Sequence, residues 1–598
     1  LPLQRQYPLS WSGSINADAP DPAIYSSEGA FPKDRHNGVQ THFLSGHPIA
    51  FTAISPFEYY PAKDELVFYQ NLTVDIEYAP TARAISAMSI LKKDSFTAKR
   101  LSASVDNPVP EYRENRESGV EYLIISDQEK MSNWQPLADY YEGLGISTQI
   151  VSVSSILSST EGSDTQEKIR NSIIATFAAN PLRYVLLAGD TDVIPHRGFT
   201  VDMGTGGESD DDIPADMYYS CLDGNWNTDG DSNWGELYET DLTPELAIGR
   251  ICYNSDLEIA NQIYKIVTYQ LSPVSDSIKK ALFVGEWLWD GPTWGGDYMD
   301  EMIGGSDAHG YSTVGVPTTW DISTLYDRTA GYEESWGPSQ IRPMLSAGPN
   351  LVNHLGHSNT TYNMRLSNSQ VSSVNITNDG ATNNFSIYFT QGCYAGSFDN
   401  RETYPGMYTD DCITEKFTSL PTSAAGMIAH SRYGWGMQGS TDGASQYLHR
   451  EYVDAMFGEG IHELGYTLVD SKIDNIPFIT NQAVMYWVDY ETNLFGCPAM
   501  MVWTDTPMQM TVSLPSQWLV GLTQYTIQSD APNARFLMKK DGQRFYDAYA
   551  DDNGIITINL LESLTPGNYQ VYLNAPNFYP YQNTVFVTAS EMPYVICK

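Results

Sequence analysis

The stretch Leu351-Val-Asn-His-Leu-Gly-His-Ser358 decides the fold prediction, together with Phe389-Thr-Gln-Gly-Cys-Tyr-Ala-Gly396. The first stretch begins with the apolar run 351–355, and the second begins at the end of the apolar run 385–389. Each run has the length of a buried strand and is bounded by turn residues. His357 and Cys393 therefore stand just past strand ends. Loops that leave the carboxyl ends of neighbouring parallel strands converge in one crevice, so these two side chains can meet as base and nucleophile. The pattern indicates an α/β sheet whose edge carries groups suited to acyl transfer.

Strand and helix signals alternate on both sides of this stretch, from Gly119 onward. Such alternation predicts a parallel sheet covered by helices, and the number of segments predicts two α/β subdomains, about 117–275 and 276–504. The first set comprises strand 120–126, helix 133–144, strand 147–153, helix 165–179 and strand 184–188. The second set comprises the segments 279–284, 298–303, 339–345, 350–355 and 385–389.

Both ends of the chain are predicted to be rich in β-strands. Residues 1–116 contain short β-branched or aromatic runs at 42–44, 49–54, 65–69 and 72–78, followed by a polar segment from Ala79 that we interpret as a protease-accessible linker. From about Asp505 to Lys598, short strands separated by Asp552-Asn-Gly554 and Thr565-Pro-Gly567 predict a small β-sandwich of immunoglobulin type.

Composition limits the classes of partner. The 598 residues are enough for several domains. The 73 acidic against 33 basic residues give a formal charge of −40, which disfavours nucleic acid and anionic membranes as partners. No apolar run reaches the roughly 20 residues of a membrane span. Six cysteines are too few for a disulfide scaffold. Because the chain starts at Leu1 without a leader, we expect any signal peptide to have been removed or left out.

Several motifs in order resemble the gingipain family of cysteine peptidases, which has a caspase-like fold. Besides the two stretches above, these are Tyr184-Val-Leu-Leu-Ala-Gly-Asp-Thr-Asp-Val-Ile-Pro195, Glu245-Leu-Ala-Ile-Gly-Arg250 and Asn493-Leu-Phe-Gly-Cys-Pro498. In the last motif Cys497 stands where the family usually has Asp. The resemblance runs from about Glu117 to Thr504 and continues into the C-terminal module. Each motif alone is weak, whereas their order and spacing are specific.

The resemblance implies a role for each residue of the site. Cys393 would be the nucleophile and His357 its base, with Glu286 orienting the imidazole. The backbone N–H groups of Ser358 and Cys393 would form the oxyanion hole, although Ser358 stands where the family usually has Gly. His354 lies within the apolar strand and is expected to be a packed histidine.

Specificity and activation also follow from the resemblance. Asp297, in Gly295-Gly-Asp-Tyr298, would bind a substrate guanidinium, and Trp435 would form the aromatic wall of that primary pocket. An alternative for Asp297 is a helix N-cap. An enzyme that cleaves after arginine could process itself at Arg113 or Arg116, and residues 1–116 would be an inhibitory prodomain.

An acidic loop suggests a metal. Oxygen ligands recur at alternate positions in Asp223-Gly-Asn-Trp-Asn-Thr-Asp-Gly-Asp231, which suits structural calcium, with an acidic turn as the alternative. The predicted ligands are Asp223, Asn225, Asn227, Asp229, Asp231 and Glu236. No cluster of Cys and His suggests zinc, and no organic cofactor is expected.

Together these observations predict a cysteine endopeptidase that hydrolyses peptide or protein substrates. The resemblance implies that it is extracellular and secreted, is made as a zymogen and cleaves after arginine. Two other classes stay open at this point. One is a catalytically silent calcium-binding adhesion protein, and the other is an extracellular glycosidase that uses paired carboxylates. Neither alternative accounts for the ordered match through Asn493.

Overall fold

The structure is a computed structural model that describes residues 4–15, 18–110, 119–204, 208–237, 239–290, 293–403, 406–479, 482–560 and 562–589. Its centre is a ten-stranded sheet. In chain order the strands are β1 Tyr122–Ser126, β2 Thr148–Ser152, β3 Tyr184–Ala188, β4 Ala247–Ile251, β5 Lys280–Gly285, β6 Asp321–Tyr326, β7 Leu351–Leu355, β8 Ser386–Thr390, β9 Ala424–His430 and β10 Thr492–Phe495.

The strand order is β6-β5-β7-β8-β9-β10-β4-β3-β1-β2. Neighbours within β6-β5-β7-β8-β9 are parallel, and so are neighbours within β10-β4-β3-β1-β2. The two groups meet at β9 and β10, which pair antiparallel. The sheet therefore consists of two parallel halves that run in opposite directions, and the carboxyl ends of β5, β7 and β8 share one edge. The predicted α/β fold is confirmed.

Helices cover this sheet because its strands are apolar on both faces, and every residue of β1, β3, β7 and β8 is buried. The predicted helix 165–179 is present as Thr165–Ala179, and it begins where the Asp164 carboxylate caps the N–H of Glu167. The other longer helices are Gln135–Gly143, Val153–Ser159, Asp256–Leu271, Pro338–Ser346, Ile413–Ser419, Ala444–Phe457, Leu464–Asn475 and Ala483–Glu491. The predicted segment 298–303 overlaps a short helix, Gly295–Asp300.

The N-terminal region differs from the prediction in two places. Its hairpins are Gln40–Leu44 with His47–Phe51 and Phe57–Tyr60 with Glu65–Phe68, but the expected strand 72–78 is an exposed segment without regular structure. The expected linker contains the helices Ala82–Ala87 and Ser95–Ser104. The second helix packs onto the catalytic domain through buried Leu101, and Arg100 donates hydrogen bonds to the carbonyls of Pro244 and Glu245. Tertiary contacts stabilise these helices despite their weak apolar periodicity.

The C-terminal region is a β-sandwich with a separate apolar core. Its five-stranded sheet contains Trp518–Leu519, Arg535–Lys540, Gln543–Tyr549, Gly567–Asn574 and Tyr581–Thr588, and its three-stranded sheet contains Val512–Ser513, Gln524–Ser529 and Ile555–Asn559. The hairpin 535–549 is absent from the sequence-based prediction. Its signal was nevertheless present, because Asp541-Gly542 forms a turn with positive φ at both residues.

A buried charge cluster joins this sandwich to β1. Glu121 lies directly before β1 and forms ion pairs with Arg535 and Arg544 of the sandwich. Asp547 pairs with the same two arginines and with Arg183. We name these five residues the junction cluster. Across the described parts of the chain, no helix has both the length and the apolar character needed to cross a membrane.

Candidate active site

The loops that carry His357 and Cys393 lie side by side. β7 and β8 are adjacent and parallel, with His354 opposite Thr390, so the two loops leave the same edge of the sheet. Directly before Cys393, the Cα of Gly392 faces the Ser358 hydroxyl so closely that a side chain at 392 would collide with it. The structure thus brings together the two loops that were predicted to form the site.

Cys393 is fully buried, and its thiol donates to the carbonyl of Gly434 at 3.7 Å. Burial raises the pKa of this thiol to about 11, although hydrogen bonds from the hydroxyl and backbone N–H of Ser10 act in the opposite direction. The neutral thiol is therefore the stable form in this state. Tyr394 follows with a φ of 58°, a conformation that is uncommon for a non-glycine residue and is concentrated at functional sites.

Glu286 follows β5 and reaches the His357 loop, but it contacts the backbone of that residue. One carboxylate oxygen accepts the His357 backbone N–H at 3.3 Å, and the other lies 3.2 Å from Nε2 of His354. Arg365 approaches the same carboxylate at 3.6 Å. The acid predicted to orient the His357 imidazole is thus close to that residue, while the imidazole that it contacts is that of His354.

His354 is a packed histidine in the structure. It is completely buried, and its Nδ1 lies 2.8 Å from the Thr390 hydroxyl. Asn363 donates to the same hydroxyl at 2.9 Å and to the Ser358 hydroxyl at 2.7 Å. Sequence reasoning missed Asn363, which comes near the site only through folding. Ser358 is not among the residues with positive φ, so its backbone does not need glycine at this position.

The two residues assigned to the primary pocket have other contacts. Asp297 lies in the first turn of the helix Gly295–Asp300, and its half-exposed carboxylate forms an ion pair with Arg328. Arg328 also binds Asp300 at 2.6 Å. The buried ring of Trp435 packs edge-on against Trp487, with the ring centroids 5.6 Å apart.

The N-terminal segment occupies the cleft above Cys393, where an inhibitory prodomain was expected to lie, although the sequence did not indicate which of its residues would enter the cleft. Tyr7–Pro8 pairs antiparallel with Trp435–Gly436, and the Leu9 N–H donates to the Gly434 carbonyl at 2.7 Å. Leu9 is fully buried, and Ser10 contacts the Cys393 sulfur. The predicted processing residues Arg113 and Arg116 lie outside the described residues.

The acidic loop brings only part of the predicted calcium set together. Carboxylate oxygens of Asp229, Asp231 and Glu236 lie within 4.8 Å of one another, and such hard oxygen donors fit calcium. The side-chain oxygens of Asn225 and Asn227 instead accept hydrogen bonds inside the loop.

Asp223 belongs to a different group of buried acids. Its pKa is raised to about 7 by burial and by the neighbouring carboxylate of Asp241. The structure therefore separates Asp223 from the exposed cluster that Asp229, Asp231 and Glu236 form.

Comparison with known proteins agrees with this architecture. Gingipain R1 from Porphyromonas gingivalis is 22% identical over 531 residues, covering 85% of this chain and 46% of the relative. Gingipain R2 from strain W83 is 21% identical over 534 residues, covering 85% and 63%. The chain thus spans less than two thirds of the length of these curated relatives.

Solved structures share the fold. The crystal structure of the Arg specific cysteine proteinase gingipain R superposes with a TM-score of 0.58 at 19% identity, covering 80% of this chain and 99% of that one. The complex of the pro- and mature domains of RgpB from Porphyromonas gingivalis gives 0.57 at 18% identity, covering 78% and 100%. The sequence model of Peptidase family C25 matches residues 115–503, which is more than half of the chain. This chain belongs to Peptidase family C25.

Proposed function

We propose that this protein is a cysteine endopeptidase whose nucleophile is Cys393 and whose general base is His357. The observation that carries the proposal is the contact between the two loops at Ser358 and Gly392, in a chain that belongs to a peptidase family. Family membership favours this function over a silent adhesion protein and over a glycosidase. Both alternatives lack a reason for a cysteine and a histidine at one sheet edge.

The reaction requires two acyl-transfer steps. His357 takes the thiol proton, and the sulfur attacks the peptide carbonyl carbon to form a C–S bond. The C–N bond then breaks as His357 protonates the leaving amine, which leaves a thioester. In the second step His357 takes a proton from water, the hydroxide attacks the thioester, and the acid product leaves as the thiol is restored. Backbone N–H groups of Ser358 and Cys393 would stabilise the negative oxygen in both steps.

Glu286 has a positioning role in this proposal. Its carboxylate accepts the backbone N–H of His357 and contacts the His354 imidazole, so it fixes the loop beside the nucleophile. Rigid support of this kind keeps a base within reach of the proton that it transfers.

The finer features of the function rest on similarity and on the sequence. We propose that the protein is secreted as a zymogen, that residues 1–116 form its prodomain, and that the C-terminal sandwich is a module of immunoglobulin type. Structural calcium would bind at Asp229, Asp231 and Glu236, where it would neutralise three adjacent carboxylates.

Arginine at P1 is the specificity that similarity to gingipain R suggests. Because Arg328 pairs with the Asp297 carboxylate, a substrate guanidinium would have to share this carboxylate with Arg328 or displace it. We propose cleavage after arginine on this similarity, and a panel of peptides varied only at P1 tests it.

The function is tested by comparing Cys393→Ala with Cys252→Ala, a change of a buried cysteine just past the end of β4 in the other half of the sheet. Both proteins and the wild type are incubated with calcium, and peptide hydrolysis is followed over time because the N-terminal segment covers the site. We expect activity from the wild type and from Cys252→Ala, and none from Cys393→Ala at an unchanged melting temperature. Turnover by Cys393→Ala would disprove the mechanism.

A further inference from the structure

We propose that the primary specificity pocket accepts an apolar side chain of the size of leucine, and that Leu9 occupies it in the position of a P1 residue. The inference rests on the proposed function, since P1 has meaning only if Cys393 is the nucleophile. It assigns the substrate class from the segment Tyr7–Trp11, which we name the cleft segment.

Residues 7–9 of the cleft segment lie as the residues before the cleaved bond of a peptide substrate would lie. Extended peptides often bind by adding a strand to an exposed edge, with main-chain hydrogen bonds for affinity and side-chain pockets for specificity. Tyr7–Pro8 pairs antiparallel with Trp435–Gly436, and the Leu9 N–H continues the ladder to the Gly434 carbonyl at 2.7 Å. The Gln6 side chain also accepts the Ala444 N–H at 2.8 Å.

The position of the cysteine sulfur identifies Leu9 as the P1 residue. The Leu9 N–H and the Cys393 thiol both donate to the Gly434 carbonyl, at 2.7 and 3.7 Å, and the hydroxyl and backbone N–H of Ser10 lower the pKa of the thiol as hydrogen-bond donors. That N–H belongs to the Leu9–Ser10 peptide bond, so this bond lies beside the nucleophile, and Leu9 is on its acyl side. The Trp11 N–H donates to the Pro8 carbonyl at 2.8 Å, so Pro8–Trp11 forms a turn with the Leu9–Ser10 peptide bond at its centre.

The pocket exists because Gly434 and Gly436 lack side chains. A Cβ built on either glycine would stand 2.9 Å from a methyl group of Leu9, which is too close for carbon atoms. Side chains alternate along a strand, so the intervening Trp435 points to the opposite face, where it packs on Trp487. The two glycines thus leave a space that the isobutyl group of Leu9 fills.

Aromatic rings form the far side of this pocket. A Cβ on Gly436 would also meet the Tyr298 hydroxyl at 3.1 Å and ring carbon Cη2 of Trp289 at 3.2 Å. Both rings are buried. The Tyr298 hydroxyl already donates to the Ser440 carbonyl at 2.7 Å and lies 3.2 Å from the Met437 N–H, so it is engaged with the backbone.

A guanidinium in this space would need a carboxylate as a partner, and the nearby carboxylate of Asp297 is already paired. Asp297 stands one residue before Tyr298, but it is ion-paired with Arg328 and its side chain is 44% exposed. Burying an arginine head group without a partner is costly, whereas burying a leucine side chain is favourable. The geometry therefore favours leucine over arginine at P1.

The test substitutes Leu9 in the full-length chain and measures the rate at which iodoacetamide alkylates Cys393. Mass spectrometry of the peptide that contains Cys393 is the readout. Leu9→Met is the matched control, because it conserves volume and apolar character, and we expect it to react within about twofold of the wild type. We expect Leu9→Arg to react at least about tenfold faster, because the cleft segment would leave the cleft more often. A Leu9→Arg rate equal to the wild-type rate, or self-cleavage after residue 9 in that variant, would overturn the inference.

A second experiment distinguishes a failure of the proposed leucine specificity from a failure of the proposed peptidase function. Two peptidyl chloromethylketones that differ only in leucine or arginine at P1 are added to the Leu9→Arg chain, with Cys393→Ala as the unlabelled control. Faster labelling by the leucine reagent supports the inference. Faster labelling of Cys393 by the arginine reagent overturns it and leaves the cysteine peptidase intact. Labelling of Cys393 by neither reagent, without peptide hydrolysis, would reject both.

Discussion

Replacing Glu121 by Gln should release the C-terminal sandwich from the catalytic domain. The side chain is completely buried in the junction cluster, where two carboxylates face the guanidinium groups of Arg183, Arg535 and Arg544. Glutamine keeps the shape but leaves three positive charges with Asp547 as the one remaining carboxylate of the cluster. Removing one partner from a buried ionic group costs about 3–5 kcal/mol.

The pKa of Glu121 supports the same magnitude. Burial alone would raise this pKa, but Arg535, Arg544 and Arg183 lower it from 4.5 to about 2. A shift of this size corresponds to about 3 kcal/mol between the two protonation states. Because the folded-state pKa is the lower one, the stabilisation is fully present above about pH 4.5 and disappears as the pH falls toward 2.

Hydrogen exchange of the full-length chain measures the local effect. In Glu121→Gln, amides of Arg535–Lys540 and Gln543–Tyr549 should exchange roughly 100-fold faster at pH 7, since about 3 kcal/mol of local opening free energy is lost. The matched control is Glu142→Gln, which weakens a half-exposed ion pair with Lys539 at 3.3 Å and should cost less than about 1 kcal/mol.

Urea unfolding measures the pH dependence. The midpoints of the wild type and Glu121→Gln should differ at pH 7 and converge between about pH 4.5 and pH 2. Equal exchange in Glu121→Gln and Glu142→Gln, or a difference in urea midpoint that stays constant down to pH 2, would refute this account of the junction cluster.

Three further predictions concern the site, the loop and activation. His357→Ala should abolish peptide hydrolysis at an unchanged melting temperature. His354→Ala should lower the melting temperature, because it removes a buried partner of Glu286. The reverse pattern would assign the role of general base to His354. Calcium should raise the melting temperature of the wild type but not of Asp229→Asn, and identical melting with calcium and with chelator would exclude the site. Self-processing at Arg113 or Arg116, which similarity to gingipain R suggests, should give new N-terminal ends at Glu114 or Glu117 in the wild type and none in Cys393→Ala incubated alone, whereas a pocket selective for leucine would leave both arginines uncut.

Local sequence patterns were sufficient for the strands that carry the candidate site, whereas β6, β9 and the helices Asp256–Leu271, Ala444–Phe457 and Leu464–Asn475 were not predicted. The apolar runs of β1, β3, β7 and β8 were assigned within about two residues, because a strand buried on both faces needs little beyond its own composition and bounding turns. The helix Thr165–Ala179 was assigned with its boundaries, since the Asp164 cap is a local signal. The strand expected at 72–78 was wrong because an apolar run forms a strand only if another strand pairs with it.

The sequence by itself determined the α/β class, the strand ends that carry His357 and Cys393, and the family. Only the tertiary structure decided which charges and surfaces meet. In the folded chain Asp297 forms an ion pair with Arg328, and the acidic residues of the loop fall into two separate groups. Strand β10 pairs antiparallel with β9, and Leu9 packs against Gly434 and Gly436. The physical reason is the distance along the chain over which each interaction acts. Strand and helix signals act within a few residues, whereas the partner of a charge or of an unpaired strand edge depends on all the segments that compete for it in the folded chain.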